Sequence, residues 1–399
     1  MRAAQVDPAP GTCYFNADKP SLDASFILRY KSGAGGFDRL VEAGFPLTLD
    51  SPAAPGRKWT FSLIPAYLDS GSAPSLPYAG NFFKQVNGGP KQNEPVTSLW
   101  AVKPEVGFQQ EGPVRYGFLL GTSFLGGPVA PLPTWTAGAS GRNWLVNVHQ
   151  LEVDASILSY VGQRDPYTDK KWGRVLRTGI DGEIRFEPRP AYWLSFAAGY
   201  DYLWGQNTWS NQAVFGNASF GKTMAWGPGD LSAGLFATAG HYRRNTGFFT
   251  YGHGGYFSPD FFFMTGPTVR YRTAPCSTYS LDARASAGYM YYRTQESPHY
   301  PLFDESLSAL NGPARADAAG TYSGERASRP GLSGKIRAVK LFGNRWIGSA
   351  FLSFNNAASY NEWRAGVSLQ YFFDSIANAG EFRHFLLREP EDRFQRHPR

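Results

Sequence analysis

Residues 280–292 read SLDARASAGYMYY, and apolar and polar side chains alternate along this stretch. The apolar positions are Leu281, Ala283, Ala285, Ala287, Tyr289 and Tyr291. The positions between them are Ser280, Asp282, Arg284, Ser286 and Gly288. Successive side chains of a strand point to opposite faces, so the pattern predicts a β-strand with one apolar and one polar face. Aromatic residues at the end of an apolar face whose middle is small are typical of lipid-facing strands with aromatic girdles.

The same period of two recurs along most of the chain. It is clear in residues 192–202 and 363–373, where aromatic residues again end the apolar face. We predict sixteen strands, at residues 20–31, 37–50, 57–69, 97–110, 113–122, 132–140, 142–158, 172–187, 190–204, 209–226, 229–244, 260–273, 276–294, 329–341, 345–355 and 360–373. Most are about ten residues or longer, whereas strands of soluble proteins commonly have about five or six.

The connections between the predicted strands tend to alternate in length. Tight turns are predicted at Gly112, Gly141, 188–189, 227–228 and 274–275. Long loops are predicted at 70–96, 123–131, 159–171, 245–259 and 295–328. An even strand count with short turns at one rim and long loops at the other is typical of outer-membrane barrels.

The predicted fold class is therefore all-β, and the predicted architecture is a transmembrane antiparallel β-barrel of about sixteen strands. The barrel is expected in the cell outer membrane, in contact with outer-membrane lipid. It has short periplasmic turns, long extracellular loops and both termini in the periplasm. The barrel is expected at residues 20–373, between a lead-in segment, 1–19, and a polar tail, 374–399. Sixteen tilted strands leave a water-filled interior. A soluble sandwich or propeller fits less well, because no repeat of about 40–50 residues occurs and so many exposed aromatics would cause aggregation.

Composition narrows the function classes. The chain has 399 residues, 16% of them aromatic, which excludes disorder. Its mean hydropathy of -0.35 excludes a helical membrane protein. The net charge is +7, but the basic residues are scattered, so we expect no nucleic-acid partner. No Walker A or GxGxxG pattern occurs, and six dispersed His and two Cys favour no metal, so no cofactor is expected. An apolar signal segment is missing near Met1, so an exported chain would be a fragment or have its signal upstream.

Two predicted loops, 159–171 and 245–259, mix aromatic, glycine and charged residues. Such sets bind carbohydrate, because a sugar ring stacks on an aromatic plane while its hydroxyls pair with polar groups. The alternative is that these residues form the membrane rim and the loop turns. On the inward face of the strands, the predicted pore-lining residues are Ser195, Asp201, Asp282, Arg284, Ser286 and Gln370.

Several motifs carry a resemblance to a known family. GQRDPYT at 162–168, YGHGGYFSP at 251–259, GFDRLVEAGFPLTLD at 36–50 and YNEWRAGVSLQYFF at 360–373 resemble the C-terminal porin domain of bacterial cellulose synthase operon protein C. The resemblance implies a sixteen-stranded barrel that exports a nascent β-1,4-glucan (cellulose) chain from the periplasm to the cell exterior. It also implies a periplasmic tetratricopeptide-repeat segment or protein, absent from this chain, that links the barrel to the inner-membrane cellulose synthase.

The two loop motifs supply the predicted glucan-binding residues. They are Gln163, Arg164, Asp165, Tyr167, Trp172, Tyr251, His253, Tyr256 and Phe257. The aromatic members would offer a stacking track, and the polar members would bind hydroxyl groups. We expect the long loops 70–96 and 295–328 to fold over the pore and gate it.

Two other functions stay open at this stage. A general diffusion porin would share the barrel but would not need the loop motifs. An outer-membrane hydrolase acting on polysaccharide would need a nucleophile beside a base, such as Ser258 with His253, or paired carboxylates. No GxSxG motif occurs, and we predict that the chain is not an enzyme.

Overall fold

The computed structural model describes residues 19–72, 95–165, 170–273, 278–302, 320–357 and 360–377. The strands in chain order are β1 (Ser21–Lys31), β2 (Leu40–Gly44), β3 (Leu47–Ala54), β4 (Arg57–Asp69), β5 (Ser98–Gln110), β6 (Arg115–Thr122), β7 (Pro133–Ser140), β8 (Trp144–Glu152), β9 (Gln163–Arg164), β10 (Lys171–Arg189), β11 (Tyr192–Gln206), β12 (Asn211–Trp226), β13 (Gly229–Tyr242), β14 (Phe261–Thr273), β15 (Tyr279–Arg293), β16 (Ser297–Pro298), β17 (Thr321–Tyr322), β18 (Arg326–Phe342), β19 (Trp346–Ala357) and β20 (Tyr360–Phe372). One short helix, α1 (Ile157–Val161), lies between β8 and β9. Within the described ranges, no helix has the length and apolar character needed to cross a membrane.

The wall is a closed antiparallel barrel of sixteen strands, as the sequence predicted. Each wall strand pairs with the next, and β1 pairs with β20 from Ser21↔Phe372 to Lys31↔Glu362. β2 and β3 are two halves of one wall strand, because both pair with β1 and with β4. The two-residue strands β9, β16 and β17 belong to the loops.

The alternation seen in the sequence separates an apolar outside from a polar inside. On β1, Phe26, Leu28 and Tyr30 are exposed outward, whereas Arg29 and Lys31 are buried inward. On β11, Phe196 and Tyr200 face outward and Ser195 faces inward, as predicted. The exposed outer aromatic and aliphatic side chains form the lipid-facing surface that a transmembrane barrel requires.

Outward aromatic residues gather near both rims of the wall. Near the turn rim, the rings of Trp59 and Phe108 lie 5.1 Å apart, and those of Trp346 and Tyr371 lie 4.7 Å apart. Near the loop rim, the ring centroids are separated by 5.3 Å for Tyr67 and Trp100 and by 4.4 Å for Phe354 and Trp363. Two such belts mark the two membrane interfaces of an outer-membrane barrel.

Two predicted strands end or break differently in the structure. The predicted strand 37–50 is interrupted at Phe45 and Pro46, because proline has no N–H group for the ladder. The predicted strand 142–158 stops at Glu152, and the chain turns inward into α1. Most of the predicted lead-in 1–19, of the tail 374–399 and of the predicted gating loop 70–96 lies outside the described residues, as do residues 303–319 of the predicted gating loop 295–328.

Candidate functional site: a plugged lumen below the long loops

Three connections at the loop rim fold inward and pack against the inner wall and against one another. We call residues 123–132, 153–165 and 243–259 the plug. Helix α1 is the centre of the plug, and all five of its residues are buried. Ile157, Tyr160 and Val161 pack against inward residues of β2, β4 and β5 and against Phe124. On the other side of the lumen, Phe257 packs with Met264, Met290 and Tyr292 of the wall.

Local capping explains why so short a helix forms here. Ser156 is the N-cap, its hydroxyl accepts from Ser159 N, and the Ser159 hydroxyl binds back to the Ser156 backbone. This reciprocal pair satisfies backbone groups that the first turn leaves free. The Ser156 hydroxyl also donates to Gly255 O at 2.8 Å, which joins the two larger plug segments.

A close backbone approach fixes the end of α1. Gly162 caps the helix with φ +79°, a conformation that glycine adopts without strain. A Cβ atom at Gly162 would lie 2.3 Å from Cγ2 of Val129, in the neighbouring plug segment. The two segments can therefore pack this closely only because residue 162 has no side chain.

Buried Arg174 binds the plug segment that follows β6. Its guanidinium donates to Val129 O at 3.0 Å, to Ser123 Oγ and Phe124 O at 2.8 Å each, and to Gly126 O. Four acceptors satisfy a cation that has no exposed surface. The network ties the plug to strand β10.

A cavity of about 250 Å³ lies in the lumen under the plug, and we call it the chamber. One side is aromatic and apolar, and its residues include Tyr242, Tyr256, Phe257, Phe262, Met264 and Met290. The facing side is charged, and its residues include Arg29, Lys31, Asp154, Glu362 and Arg364. A space between ring planes and hydrogen-bonding groups suits a ligand with apolar faces and polar edges, such as a sugar chain.

The charged side of the chamber is an ion-pair cluster between wall and plug, formed by Arg29, Glu42, Asp154, Glu362 and Arg364. Arg29 binds Glu362 with two hydrogen bonds, of 3.1 and 3.0 Å, and its third nitrogen lies 3.0 Å from the carboxylate of Asp154. Arg364 lies 3.6 Å from the same Asp154 oxygen. Burial alone would raise the pKa of Asp154, but Arg29 and Arg364 outweigh it and hold the pKa below its usual value.

Several predicted glucan-binding residues lie inside the plug or pack against it. Gln163 has no exposed surface, and its side-chain amide pairs with the backbone N and O of Val96. Trp172 also has no exposed surface, and its ring lies 6.0 Å from that of Tyr251 in a tilted arrangement. Arg164 pairs in register with Lys171, and Asp165 is buried beside them. Tyr167 lies outside the described residues.

The predicted loop residue His253 is fully buried and binds Pro298 O through Nε2 at 2.9 Å. Burial lowers the pKa of His253 to about 4, so its ring is neutral at physiological pH. The Ser258 hydroxyl accepts from Thr246 N at 2.7 Å. Each side chain of this His–Ser pair thus binds a different partner. Among the residues that the structure describes, no group of three acidic, His or Cys side chains is arranged to hold a metal ion.

Of the members of the predicted loop set that the structure describes, Tyr256 and Phe257 reach the chamber. Tyr256 is 5% exposed, its ring lies 6.4 Å from that of Tyr242, and burial raises the pKa of its hydroxyl. Phe257 packs edge-on against Tyr292 at 5.2 Å. The structure therefore divides the predicted set into residues that build the plug and residues that face the chamber.

The predicted pore-lining residues all lie on the inward face of the wall, distributed around it. Ser195 bonds to Glu183 at 3.0 Å, Asp201 to His149 at 2.8 Å, and Ser286 to Thr268 at 2.9 Å. Asp282 accepts from Arg270 at 2.9 Å, Arg284 lies two residues further along β15, and Gln370 bonds to Ser21 at 2.9 Å. Of these residues, Asp201 lines the chamber.

Sequence reasoning missed the ion-pair cluster and the wall aromatics Tyr242 and Phe262. A signal for the cluster was present, because Arg29 and Arg364 occupy inward positions of their strands. Both arginines contact Asp154, however, only because the plug folds into the lumen, and no local sequence pattern predicts that fold.

Comparison with known proteins identifies the family. A family model described as the C-terminus of cellulose synthase operon protein C matches residues 38–374. The chain belongs to this family. It is 29% identical over 343 residues to cellulose synthase 2 operon protein C of Komagataeibacter xylinus, covering 81% of this chain and 25% of that relative. It is 24% identical over 358 residues to cellulose synthase operon protein C of Pseudomonas fluorescens (strain SBW25). That alignment covers 88% of this chain and 27% of the relative.

The chain thus spans about a quarter of the length of these cellulose synthase operon C proteins. Among solved structures, a bacterial polysaccharide outer membrane secretin superposes with a TM-score of 0.51 at 9% identity, covering 90% of this chain and 99% of that one. That likeness shows a shared barrel fold. The sixteen-stranded barrel with its lipid-facing belts and its family membership place the chain in the outer membrane.

Proposed function

We propose that this barrel is the outer-membrane conduit through which a β-1,4-glucan chain passes from the periplasm to the cell exterior, and that the plug closes it at rest. The observation that carries the proposal is the chamber, where an aromatic side faces a charged side directly beneath the plug. Membership of the cellulose synthase operon C family supports the choice of polymer.

A glucan chain needs many weak contacts if it is to slide. Its sugar rings present C–H faces and its edges present hydroxyl groups, so aromatic planes and polar side chains both bind it. Stacking of a nucleobase on an aromatic side chain contributes about 1–3 kcal/mol, and stacking of a sugar should contribute less. Inward residues such as Ser195, Asp201, Ser286 and Gln370 offer hydrogen bonds that the next sugar can replace. Chain synthesis, rather than the barrel, would drive the movement.

The buried loop residues have a different role in this proposal. Trp172, Tyr251 and Gln163 hold the plug together in the closed state. Tyr256 and Phe257, with Tyr242 and Phe262 of the wall, form the stacking surface that the chain meets. Movement of the plug away from the wall would then open a continuous path and leave the wall aromatics in place.

We further propose that the barrel acts as a channel, not as an enzyme, and works with a periplasmic tetratricopeptide-repeat segment or protein. The curated relatives are about four times as long as their matched part, which leaves room for such a segment in them. That segment would bring the polymer from the inner-membrane synthase to the turn rim.

Block of single-channel current by sugars tests the proposal. The refolded protein is inserted into planar bilayers, cellohexaose is added on the turn side, and block is read from the current that flows while the plug is open. We expect concentration-dependent block, and we expect Phe262→Ala to shorten the blocked time several-fold because a chamber ring is lost. Phe263→Ala is the matched control, since Phe263 is the next residue but faces lipid. Equal loss in both variants, or no block by cellohexaose, would count against a glucan path through the chamber.

A further inference from the structure

A row of cations crosses the inner wall from strand to strand. Arg270 on β14 is the register partner of Arg284 on β15, and Arg284 is the partner of Lys335 on β18. The row continues through Ser353 on β19 to Arg364 on β20 and then to Arg29 on β1. These positions share the inward face, because their chain neighbours Val269, Ile336 and Trp363 are exposed outward. We call these five basic residues the cationic row.

The cationic row climbs the lumen. Arg270 lies three residues before the turn-rim end of β14, whereas Arg29 lies two residues before the loop-rim end of β1. Five strand-to-strand steps of about 4.8 Å make the row roughly 24 Å long. Its upper end, at Arg29 and Arg364, forms part of the chamber. The row therefore connects the turn-rim half of the lumen with the chamber under the plug.

Among the described residues, the upper end of the row has more carboxylates beside it than the lower end has. In the chamber, Arg29 and Arg364 face the carboxylates of Glu42, Asp154 and Glu362. Lower down, Arg270, Arg272, Arg284, Lys335 and Arg337 occupy inward positions on three adjacent strands, and between them stands one inward carboxylate, Asp282. Among the described inward residues of these three strands, basic side chains therefore outnumber carboxylates.

Placing like charges directly opposite each other on neighbouring strands destabilises a sheet. Two such pairs follow each other here, because Arg270 lies opposite Arg284 and Arg284 lies opposite Lys335. The neutral, hydroxyl-rich polymer of the proposed function does not need such a wall, because serine and glutamine bind it as well. A wall of Arg and Lys suits carboxylate or phosphate groups, which the guanidinium group binds with two parallel hydrogen bonds.

We propose that the cationic row is a track for anionic groups carried on the transported polysaccharide, so that the cargo is a glucan bearing carboxylate or phosphate substituents. This inference rests on the proposed function and adds the charge of the cargo. Each anionic group would pass from Arg270 to Arg284 and Lys335 and reach Arg364 and Arg29 in the chamber. There it would compete with Asp154 for the same guanidinium groups, which would favour release of the plug.

Calorimetry on the detergent-solubilised protein tests the track with three probes: neutral cellohexaose, cellohexaose oxidised to carboxylate at C6, and free glucuronate. At low salt we expect the carboxylated hexamer to bind about tenfold more tightly than the neutral one, and at 1 M salt we expect that preference to disappear. The double variant R284Q/K335Q should lose the preference while it still binds the neutral hexamer. It should also fold, because the substitutions remove a repulsion between neighbouring strands.

The matched control is K222Q/K340Q, which removes the same charge from positions that are exposed on the outer face. It should keep the preference. Equal affinity of the two hexamers, or equal loss of preference in both double variants, would overturn the track and leave glucan export standing. Glucuronate binding as tightly as the carboxylated hexamer would also overturn it, because the row would then hold free anions. Tight binding of the carboxylated hexamer alone would keep the track and exclude a neutral glucan as cargo.

Discussion

Arg29 on the first wall strand and Asp154 in the plug are 125 residues apart in the chain, yet their side chains meet at 3.0 Å. Arg364 approaches the same carboxylate from the last wall strand, and Lys31 donates to the neighbouring carbonyl of Ala155. The seam where the barrel closes on itself is therefore also the place where the plug is fastened. Release of Asp154 would free this plug segment and leave the wall intact.

The substitution Asp154→Asn should weaken the closed state. Arg29 keeps Glu362 and Glu42 as partners, so no buried charge is left unpaired and the barrel should fold. Loss of a charged hydrogen bond contributes about 1.5 kcal/mol, so the ratio of open to closed channels should rise roughly tenfold. Single-channel recording in planar bilayers measures that ratio.

Asp260→Asn is the control for the Arg29–Asp154 pair. Asp260 also pairs with an arginine at the loop rim, Arg293, but Arg293 is about half exposed and outside the chamber. An open fraction that does not change in Asp154→Asn, or that rises equally in Asp260→Asn, would show that the Arg29–Asp154 pair does not hold the plug.

Acid should open the plug through His253. Burial lowers the pKa of His253 to about 4, whereas an exposed histidine has a pKa of about 6.5. Between these values the open state takes up a proton that the closed state does not bind, so closure loses stability as the pH falls from 6.5 towards 4. At pH 5 the shift corresponds to roughly 30-fold in favour of opening, if opening brings His253 into water.

The pH dependence of channel opening between pH 7.5 and 4.5 measures this effect. His253→Gln should flatten the dependence over that range, whereas His241→Gln, at an exposed position, should not change it. The Asp154 pair should not add to it, because Arg29 and Arg364 hold the pKa of that carboxyl below its usual value and keep it charged. A wild-type response equal to that of His253→Gln would refute the role of the histidine.

Adding a methyl group at Gly162 should disturb the plug. In Gly162→Ala, the new Cβ would lie 2.3 Å from Val129 at a φ of +79°, so packing and backbone conformation are both strained. Gly227→Ala separates the two effects, because Gly227 has φ +57° and nothing within 4 Å of its Cβ position. We expect the Gly162 variant to lower the thermal midpoint and to raise leak current, with a cost of more than about 1 kcal/mol. A smaller loss of stability than in Gly227→Ala would contradict the packing described for the plug.

The wall was predictable because its signal is local. Alternation places Ser195 and Phe196 on opposite faces whatever the rest of the chain does, and long strands whose apolar face ends in aromatic residues are typical of a barrel between lipid and water. The break at Pro46 was less visible, because a proline in an otherwise alternating run changes one hydrogen bond and not the alternation.

The plug was not predictable from the same signal. Helix α1 has five residues, too few to be stable alone, and it persists because Ile157 and Val161 are buried against the wall. Trp172 and Tyr256 are both aromatic residues in or beside similar loop motifs, yet Trp172 packs against the plug and Tyr256 faces the chamber. That difference arises from contacts between segments far apart in sequence, which a period of two does not encode.

Selective efflux from liposomes tests the central claim most directly. Vesicles containing the Asp154→Asn barrel are loaded with equal concentrations of cellohexaose and its α-1,4-linked isomer maltohexaose, and the two sugars are quantified outside over time. A conduit whose chamber fits an extended β-1,4 chain predicts that cellohexaose leaves several-fold faster, and that wild-type vesicles release both more slowly. Equal rates for the two sugars would contradict the account and indicate a general diffusion porin.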